Sequence, residues 1–445
     1  MNLHHNLTKS RLRAAYLVAL LTLAYTLSFI DRQILSLLVE PIKHDLSLSD
    51  TEISVLQGLA FAVFMGIGGL PIGRLIDRSR RMSIITAGVA FWSVMTAACG
   101  LVKGYTGLLL CRMGVGLGES TLTPAAYSVI SDSVSPRRLG LAIGVYSMGV
   151  YIGAGLALII GGAVIARLPV DTMILPLLGE MRPWQVVFVA VGLPGLVVAL
   201  LMMTVREPMR RHDESFAVKI PLSQVFHYLR EHRFAFTSLI LCQSFAAMSS
   251  YTLNAWAPSF FIRSYGWSAA QTGHAYGITI VVSGMLGVVS GGFLGDHLVA
   301  KGFVGGRMSL MGAAMICAIP FAASAPLMAN PHAALLMLGV ITFLITLAIG
   351  TGPTALQELL PNRMRGTVNA MAVLTVNLIG LGLGPTIVAL LTDYVFADPL
   401  KLRDALAWAV PMMMLVAAIF AGLSLKPYAR SRSQRLLTQQ PVENA

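Results

Sequence analysis

The chain has 445 residues, of which 56% are apolar and only 12% are charged. Soluble domains carry about 25% charged residues, so this composition excludes an ordinary soluble protein and predicts a polytopic membrane protein. The formal charge of +12 could favour nucleic acid as a partner, but the basic residues follow the membrane topology instead.

Hydropathy predicts twelve membrane-spanning segments of about 20 mostly apolar residues each. All should be helices, because an isolated segment in lipid must satisfy its own backbone hydrogen bonds. The first apolar segment is too long for a signal peptide and should be retained as a span. The predicted spans are 14–38, 54–75, 82–102, 107–131, 139–164, 185–205, 234–262, 271–295, 307–328, 333–358, 366–392 and 404–425.

The lysines and arginines are distributed unequally between the two sides of the membrane. On the side that holds both termini we count 23, against 7 on the opposite side and two within spans. Cytoplasmic loops carry the excess of Lys and Arg, so both termini are predicted to be cytoplasmic. The expected location is a bacterial inner membrane. Nucleic acid is not an expected partner.

The chain divides at its longest polar segment, which separates six spans from six. We predict an N-terminal six-helix bundle over 1–205, a cytoplasmic linker over 206–233, a C-terminal six-helix bundle over 234–428 and a flexible cytoplasmic tail over 429–445. A membrane-surface helix at 222–229 and a solvated linker are both compatible with the linker sequence.

An internal repeat relates the two halves. The motif Gly73–Asp77 follows the second span, and a similar motif, Gly292–Asp296, follows the eighth, at an offset of 219 residues. Asp132 and Glu358 occupy corresponding loops at an offset of 226 residues. Parallel repeats related by an axis along the membrane normal would place these loops on one side of the membrane.

These motifs resemble those of the major facilitator superfamily. The segments 73–81 (GRLIDRSRR) and 112–119 (RMGVGLGE) carry the resemblance, which covers nearly the whole chain. Together with 29–32 (FIDR), the span-four motif is similar to that of spinster-like transporters and, less closely, to that of organic anion:cation symporters. The resemblance implies an all-α fold of twelve transmembrane helices in two pseudo-symmetric bundles, and transport by alternating access.

Four ionisable residues lie within predicted spans of the N-terminal half. Such groups are costly at bilayer depth unless they are paired or face a wet cavity. Helical rise places Asp31 and Arg112 at a similar depth and predicts an ion pair between them. Arg32 is expected to reach Glu119 or an anionic substrate group. Glu119 and Asp31 are the candidate proton carriers, although the four charges could merely hold helices together.

The C-terminal half carries neutral and aromatic residues at the corresponding positions. Tyr251, Asn254 and Trp256 in span seven, with Asn377 in span eleven, are predicted to line the substrate cavity. A charged half facing a neutral half suits an amphipathic substrate. Alternatively, Trp256 could be an interfacial belt residue, and Asn377 could serve only an interhelical hydrogen bond.

Charged residues at the span ends are predicted to form a cytoplasmic gate. Asp77 and Asp296 are each expected to accept hydrogen bonds from free amides at a helix N-terminus of the opposite half. The family resemblance implies that Arg81 pairs with Asp132. The alternative is that these loops serve only topology. The predicted gate residues are Asp77, Arg78, Arg81, Asp132, Asp296 and Glu358.

The sequence therefore predicts a secondary active transporter, coupled to protons, that moves an amphipathic or anionic organic solute, with lipid-like cargo favoured. The alternative is a carboxylate:proton symporter in which Arg32 and Arg112 bind the substrate; a passive channel and a membrane receptor are further alternatives. No P-loop, nucleophile motif or metal-ligand spacing occurs, so neither an enzyme nor a cofactor is expected. The expected partners are the substrate, protons and membrane lipid, with the chain as a monomer.

Overall fold

The computed structural model describes residues 2–169, 172–175, 179–209 and 221–439. Within these ranges nearly every element is a helix, which confirms the all-α prediction. Eleven helices of the described part are long and apolar enough to cross a membrane.

The described residues of the first half form nine helices and a short β-hairpin. The hairpin pairs Ile174 with Glu180 in antiparallel register and was not predicted. A π-helical segment, Val55–Leu59, lies between α3 and α4. The elements are α1 (Asn2–Leu37), α2 (Val39–Leu46), α3 (Asp50–Ser54), α4 (Ala60–Arg78), α5 (Arg81–Cys99), α6 (Tyr105–Glu119), α7 (Leu122–Ser133), α8 (Pro136–Ile165), β1 (Met173–Leu175), β2 (Gly179–Met181) and α9 (Pro183–Met202).

The second half, where the structure describes it, contains eight helices. Proline opens α14 at a position where its missing N–H costs no helical hydrogen bond. Two π-helical segments, Leu378–Leu383 and Leu391–Val395, flank α16. The helices are α10 (Leu222–Glu231), α11 (Arg233–Tyr265), α12 (Ala269–Ala300), α13 (Gly306–Ser324), α14 (Pro331–Leu359), α15 (Arg365–Asn377), α16 (Gly384–Leu390) and α17 (Leu402–Gln439); 3-10 turns cover Ala325–Leu327, Asn362–Met364 and Pro399–Lys401.

The predicted fourth span is broken into α6 and α7. The hydroxyls of Ser120 and Thr121 donate to the carbonyls of Leu117 and Gly118, three residues earlier. Such bonds compete with the helical backbone pattern, and Pro124 supplies no N–H to continue that pattern. The break explains why eleven long helices stand where twelve spans were predicted.

The chain packs into two compact units. The first comprises Met1–Arg211 and Ala255–Val281, and the second comprises His212–Asn254 and Val282–Ala445. The boundary therefore passes through α11 and through α12. The domain limits derived from the sequence remain a prediction.

Each unit has its own core of packed helices. In the first unit α1 packs on α8, α5 on α9 and α4 on α6; in the second, α13 packs on α14 and α17. Trp92 is fully buried in the first core. A Cβ at Gly118 would lie 2.8 Å from the Cβ of Trp92, so glycine allows α6 to approach α5 closely.

The linker and tail regions contain ordered helix. The linker helix α10 is attached to the second unit by Tyr228, whose hydroxyl donates to the carbonyl of Leu359 at 2.7 Å. Whether α10 contacts the membrane surface remains a prediction. Helix α17 continues through the predicted tail as far as Gln439. The flexibility of the tail stays a prediction, and residues 440–445 lie outside the described part.

Candidate functional site

Arg32 and Glu119 form a buried ion pair between α1 and α6. The Nε of Arg32 donates to Oε2 of Glu119 at 2.6 Å, and Nη2 of Arg32 lies 2.5 Å from the same oxygen. The hydroxyl of Ser28, one turn before Arg32, donates to this oxygen at 2.6 Å. The Glu119 side chain is fully enclosed and that of Arg32 is 14% exposed. The contact predicted between Arg32 and Glu119 is therefore present.

The predicted ion pair between Asp31 and Arg112 is not formed among the described residues. Arg112 instead donates to two main-chain carbonyls, those of Asp31 at 3.1 Å and Leu56 at 3.2 Å. The carboxylate of Asp31 accepts a hydrogen bond from Thr96 at 3.1 Å. Leu56 belongs to the π-helical segment, a local irregularity that is frequent at functional sites. The similar depth of Asp31 and Arg112 within their predicted spans correctly predicted that the two residues lie close together. It did not predict which of their atoms form hydrogen bonds.

An aromatic ring lies beside both arginines. The Cζ atom of Arg32 is 4.7 Å from the ring centroid of Phe61, and that of Arg112 is 5.6 Å from the same centroid. Phe29 lies 4.7 Å from Arg32. The face of an aromatic ring attracts a cation, so Phe61 helps two like charges share one site. This role of Phe61 was not predicted from the sequence.

Three buried polar atoms of this cluster make no hydrogen bond to the described residues. They are Oδ1 of Asp31, Nη2 of Arg112 and Oε1 of Glu119. A buried group of this kind costs about 1–3 kcal/mol when it is left unsatisfied. A cluster that only held helices together would be expected to satisfy these atoms. Each of these atoms could therefore take part in one further hydrogen bond.

A neutral polar contact lies in the second unit. The hydroxyl of Tyr251 on α11 donates to Oδ1 of Asn377 on α15 at 3.2 Å. Asn254 lies one turn beyond Tyr251 and is partly buried. A π-helical segment begins directly after Asn377. Trp256 is fully buried in the first unit, with Arg263 5.8 Å from its ring, and its lining role remains a prediction.

Replacing Tyr251 by phenylalanine should remove this hydrogen bond with little change in volume. We expect a loss of about 1 kcal/mol in the free energy of unfolding, the usual net value of one such bond, and a higher KM for solute uptake. Thermal unfolding and initial uptake rates measure the two effects. Tyr394→Phe, at a residue with 73% exposure, is the matched control and should change neither quantity.

The predicted pair of Arg81 and Asp132 is present at the start of α5. Arg81 is buried and pairs closely with the Asp132 carboxylate. Its Nε also donates to Glu207 at 2.9 Å, and its Nη2 donates to the carbonyl of Pro208 at 3.0 Å. We call this set the Arg81 clamp. It ties the ends of α5, α7 and the segment after α9 together.

The second unit contains an equivalent clamp around Arg307. This buried arginine contacts Asp296 at 2.7 Å and Glu358 at 2.9 Å. The hydroxyl of Tyr428 donates to Glu358 at 2.6 Å, and Arg432 lies 3.1 Å from the same carboxylate. We call this set the Arg307 clamp. Asp296 was predicted to accept hydrogen bonds from a helix N-terminus. In the structure it contacts an arginine of its own unit.

Arg307 was missed although a sequence signal for it exists. It lies 226 residues after Arg81, the same offset that relates Glu358 to Asp132. Extending the repeat to this position would have predicted it. Of the remaining gate residues, Arg78 is exposed, and the side chain of Asp77 lies outside the described part, so its contact stays a prediction.

The apolar helices, the buried charge cluster and the two internally repeated clamps define an integral membrane transport protein. Residues 21–385 match the Major Facilitator Superfamily, and the chain belongs to that family. This confirms the predicted fold and the prediction of a transporter rather than an enzyme.

Three known proteins show how far the similarity extends. An "MFS-type efflux pump" of Mycolicibacterium smegmatis is 29% identical over 94% of each chain. A "Probable L-galactonate transporter" of Escherichia coli is 27% identical over 74% of this chain and 72% of its own. A crystal structure of a bacterial homolog to the human lysosomal transporter Spinster, inward-facing and unoccupied, superposes with a TM-score of 0.77 at 29% identity, covering 97% of this chain and 99% of that chain. The predicted spinster-like resemblance is confirmed.

Proposed function

We propose that this protein is a proton-coupled secondary transporter that moves an amphipathic or anionic organic solute by alternating access. The observation that carries the proposal is the Arg32–Glu119 pair, enclosed between α1 and α6 with Oε1 of Glu119 lacking a hydrogen-bond partner among the described residues. An enclosed carboxylate beside a single arginine is a candidate proton carrier, because helix movement that breaks the contact with Arg32 would leave its charge unpaired.

In the proposed cycle the Glu119 carboxylate and an anionic group of the solute compete for Arg32. Protonation of Glu119 cancels its charge and weakens the hold on Arg32. The guanidinium can then bind an anionic group of the solute, since arginine recognises carboxylate and phosphate through paired donors. Asp31, which retains an oxygen without a hydrogen bond in the described structure, is the second candidate proton site.

The remaining site residues are assigned by chemistry. Arg112 contributes positive charge beside Phe61, and the Tyr251–Asn377 contact, with Asn254 and Trp256, is assigned to the uncharged part of the solute. A lipid-like cargo has both an anionic part and an uncharged part. We also propose that the protein works as a monomer in a bacterial inner membrane with cytoplasmic termini.

A carboxylate:proton symporter is the second candidate. The E. coli relative named for L-galactonate favours it, since that solute is a carboxylate. In this case Arg32 and Arg112 would both contact the substrate, and the neutral residues of α11 would contribute less to affinity.

Thermal stability of the purified protein separates the two candidates. Unfolding is recorded with lysophospholipids, aromatic carboxylates and sugar acids, because a ligand that binds the native state raises the unfolding temperature. The proposal expects stabilisation by the amphipathic anions, lost in Arg32→Gln. Stabilisation by small carboxylates alone would favour the symporter. Equal effects in the native protein and Arg32→Gln would contradict both assignments of Arg32.

A further inference from the structure

A second charged cluster lies at the opposite end of the first unit from the Arg81 clamp. Arg263, near the end of α11, makes two hydrogen bonds to the carboxylate of Asp50, both 2.8 Å long, and a third to Glu40 at 2.8 Å. Lys43 pairs closely with Asp50. The Asp50 side chain is fully enclosed and that of Arg263 is 6% exposed. Two acids and two bases thus balance in a partly buried site, in which Lys43 is 14% and Glu40 is 30% exposed. We call this set the Arg263 cluster.

Local structure fixes the acidic side of this cluster. Asp50 is the first residue of α3, and a capping box between Ser49 and Glu52 holds that helix start. The preceding helix, α2, ends at Leu46 and is followed by Ser47, which adopts the left-handed conformation with φ of 52°. The Asp50 carboxylate is therefore presented by a constrained turn, and a two-pronged Arg–carboxylate bond is among the strongest polar contacts in proteins.

The partner segment is attached to the first unit by close packing as well. Ala255–Val281, the end of α11 and the start of α12, belongs to this unit although the rest of both helices belongs to the other. A Cβ at Gly277 would lie 2.8 Å from the carbonyl oxygen of Gly155 on α8. One at Gly273 would lie 2.2 Å from the carbonyl oxygen of Leu158. Only glycine permits these approaches.

We propose that Arg263 and Asp50 are functional residues of transport, whose ion pair fastens the 255–281 segment to α3 and α8 and seals the outer side in this conformation. The inference rests on the proposed alternating-access function. Opening toward the outside requires the segment to leave these contacts, and water can then solvate all four charges. An ion pair suits this task. Its charges are stable in the buried site only while they are paired, and they are stable in water once they have separated.

A buried thiol reports whether the segment has moved. Ser259 is fully buried and lies one turn before Arg263 on the same helix face. Cysteine differs from serine by only a small volume, so Ser259→Cys is a conservative replacement. We measure the rate at which a polar maleimide labels the Ser259→Cys protein in detergent, with the four native cysteines as background. Adding Arg263→Gln should raise this rate at least about tenfold, since losing one partner of a buried ion pair is strongly destabilising. Gly277→Val should raise it too, by opposing the close packing.

Matched variants distinguish movement of the 255–281 segment from general destabilisation of the protein. Arg182→Gln removes an arginine, directly before α9, that pairs with Asp45 of α2 at 3.0 Å and lies outside the 255–281 segment. Gly292→Val adds bulk where a Cβ would meet nothing within 4 Å. Both should leave the labelling rate unchanged. Arg263→Lys, which keeps the charge, guards against misfolding and should give an intermediate rate. An unchanged rate in Arg263→Gln, or equal rises in all variants, would overturn the proposal. Labelling needs no transport, so it stands apart from failure of the proposed function.

Discussion

Replacing Glu119 by glutamine is expected to abolish the dependence of solute uptake on an imposed pH gradient and to lower the initial rate at least about tenfold. The amide cannot release a proton, and it removes the negative charge that Arg32 contacts at 2.6 Å. Breaking a buried ion pair from one side costs about 3–5 kcal/mol, so the unfolding temperature should fall as well. Uptake into liposomes with and without the gradient measures the first effect.

Two variants make the Glu119 result specific. Glu180→Gln makes the same chemical change in the exposed β-hairpin and should retain native uptake. Ser28→Ala removes one hydrogen bond to Glu119 but keeps both charges, so it should alter the rate while preserving pH dependence. Native rate and pH dependence in Glu119→Gln would remove this residue from the coupling mechanism.

Replacing Arg81 by methionine should produce the second large effect, a loss of both stability and transport. Methionine fills the buried volume but removes the cation that Asp132 and Glu207 share. Removing the charged centre of a buried network costs about 3–5 kcal/mol, a large share of the stability of a typical protein domain. Chemical or thermal unfolding of the purified protein measures this loss.

Arg74→Met is the control, because Arg74 is exposed near the end of α4 and the same substitution there should have little effect. The repeat adds a second comparison. Arg307→Met removes the equivalent centre, but Glu358 still contacts Tyr428 and Arg432, so its loss of stability should be smaller. A larger effect in Arg307→Met than in Arg81→Met would contradict this account of the two clamps.

Hydropathy and the cost of burying charge predicted the features that depend on the average character of a whole apolar span. Long apolar stretches predicted the helices, and the cost of unpaired charges within spans predicted the contact of Arg32 with Glu119. The atoms bonded by Arg112 could not be predicted, because they depend on a π-helical segment that turns the carbonyl of Leu56 toward it. The break in span four could have been predicted from Ser120, Thr121 and Pro124. The two hydroxyl groups compete for backbone carbonyls, and the proline lacks an N–H.

The Arg263 cluster could not be predicted from the sequence. Arg263 counted only as one of the few basic residues on the outer side, and Asp50 lies more than 200 residues earlier in the chain. Their pairing depends on how α11 approaches α3, which no local pattern encodes. Arg307, in contrast, could have been found from the repeat, because its position relative to Arg81 repeats the offset of the loop acids.

Proton movement during solute uptake tests the central claim most directly. The purified protein is placed in liposomes that contain a pH-sensitive dye, and lysophospholipids and aromatic carboxylates are added singly with no imposed gradient. We expect the solute that is taken up to change the internal pH in proportion to its flux, and Glu119→Gln to remove that change. Solute uptake with no change of internal pH, at a rate indifferent to an imposed gradient, would contradict proton coupling through the Arg32–Glu119 pair.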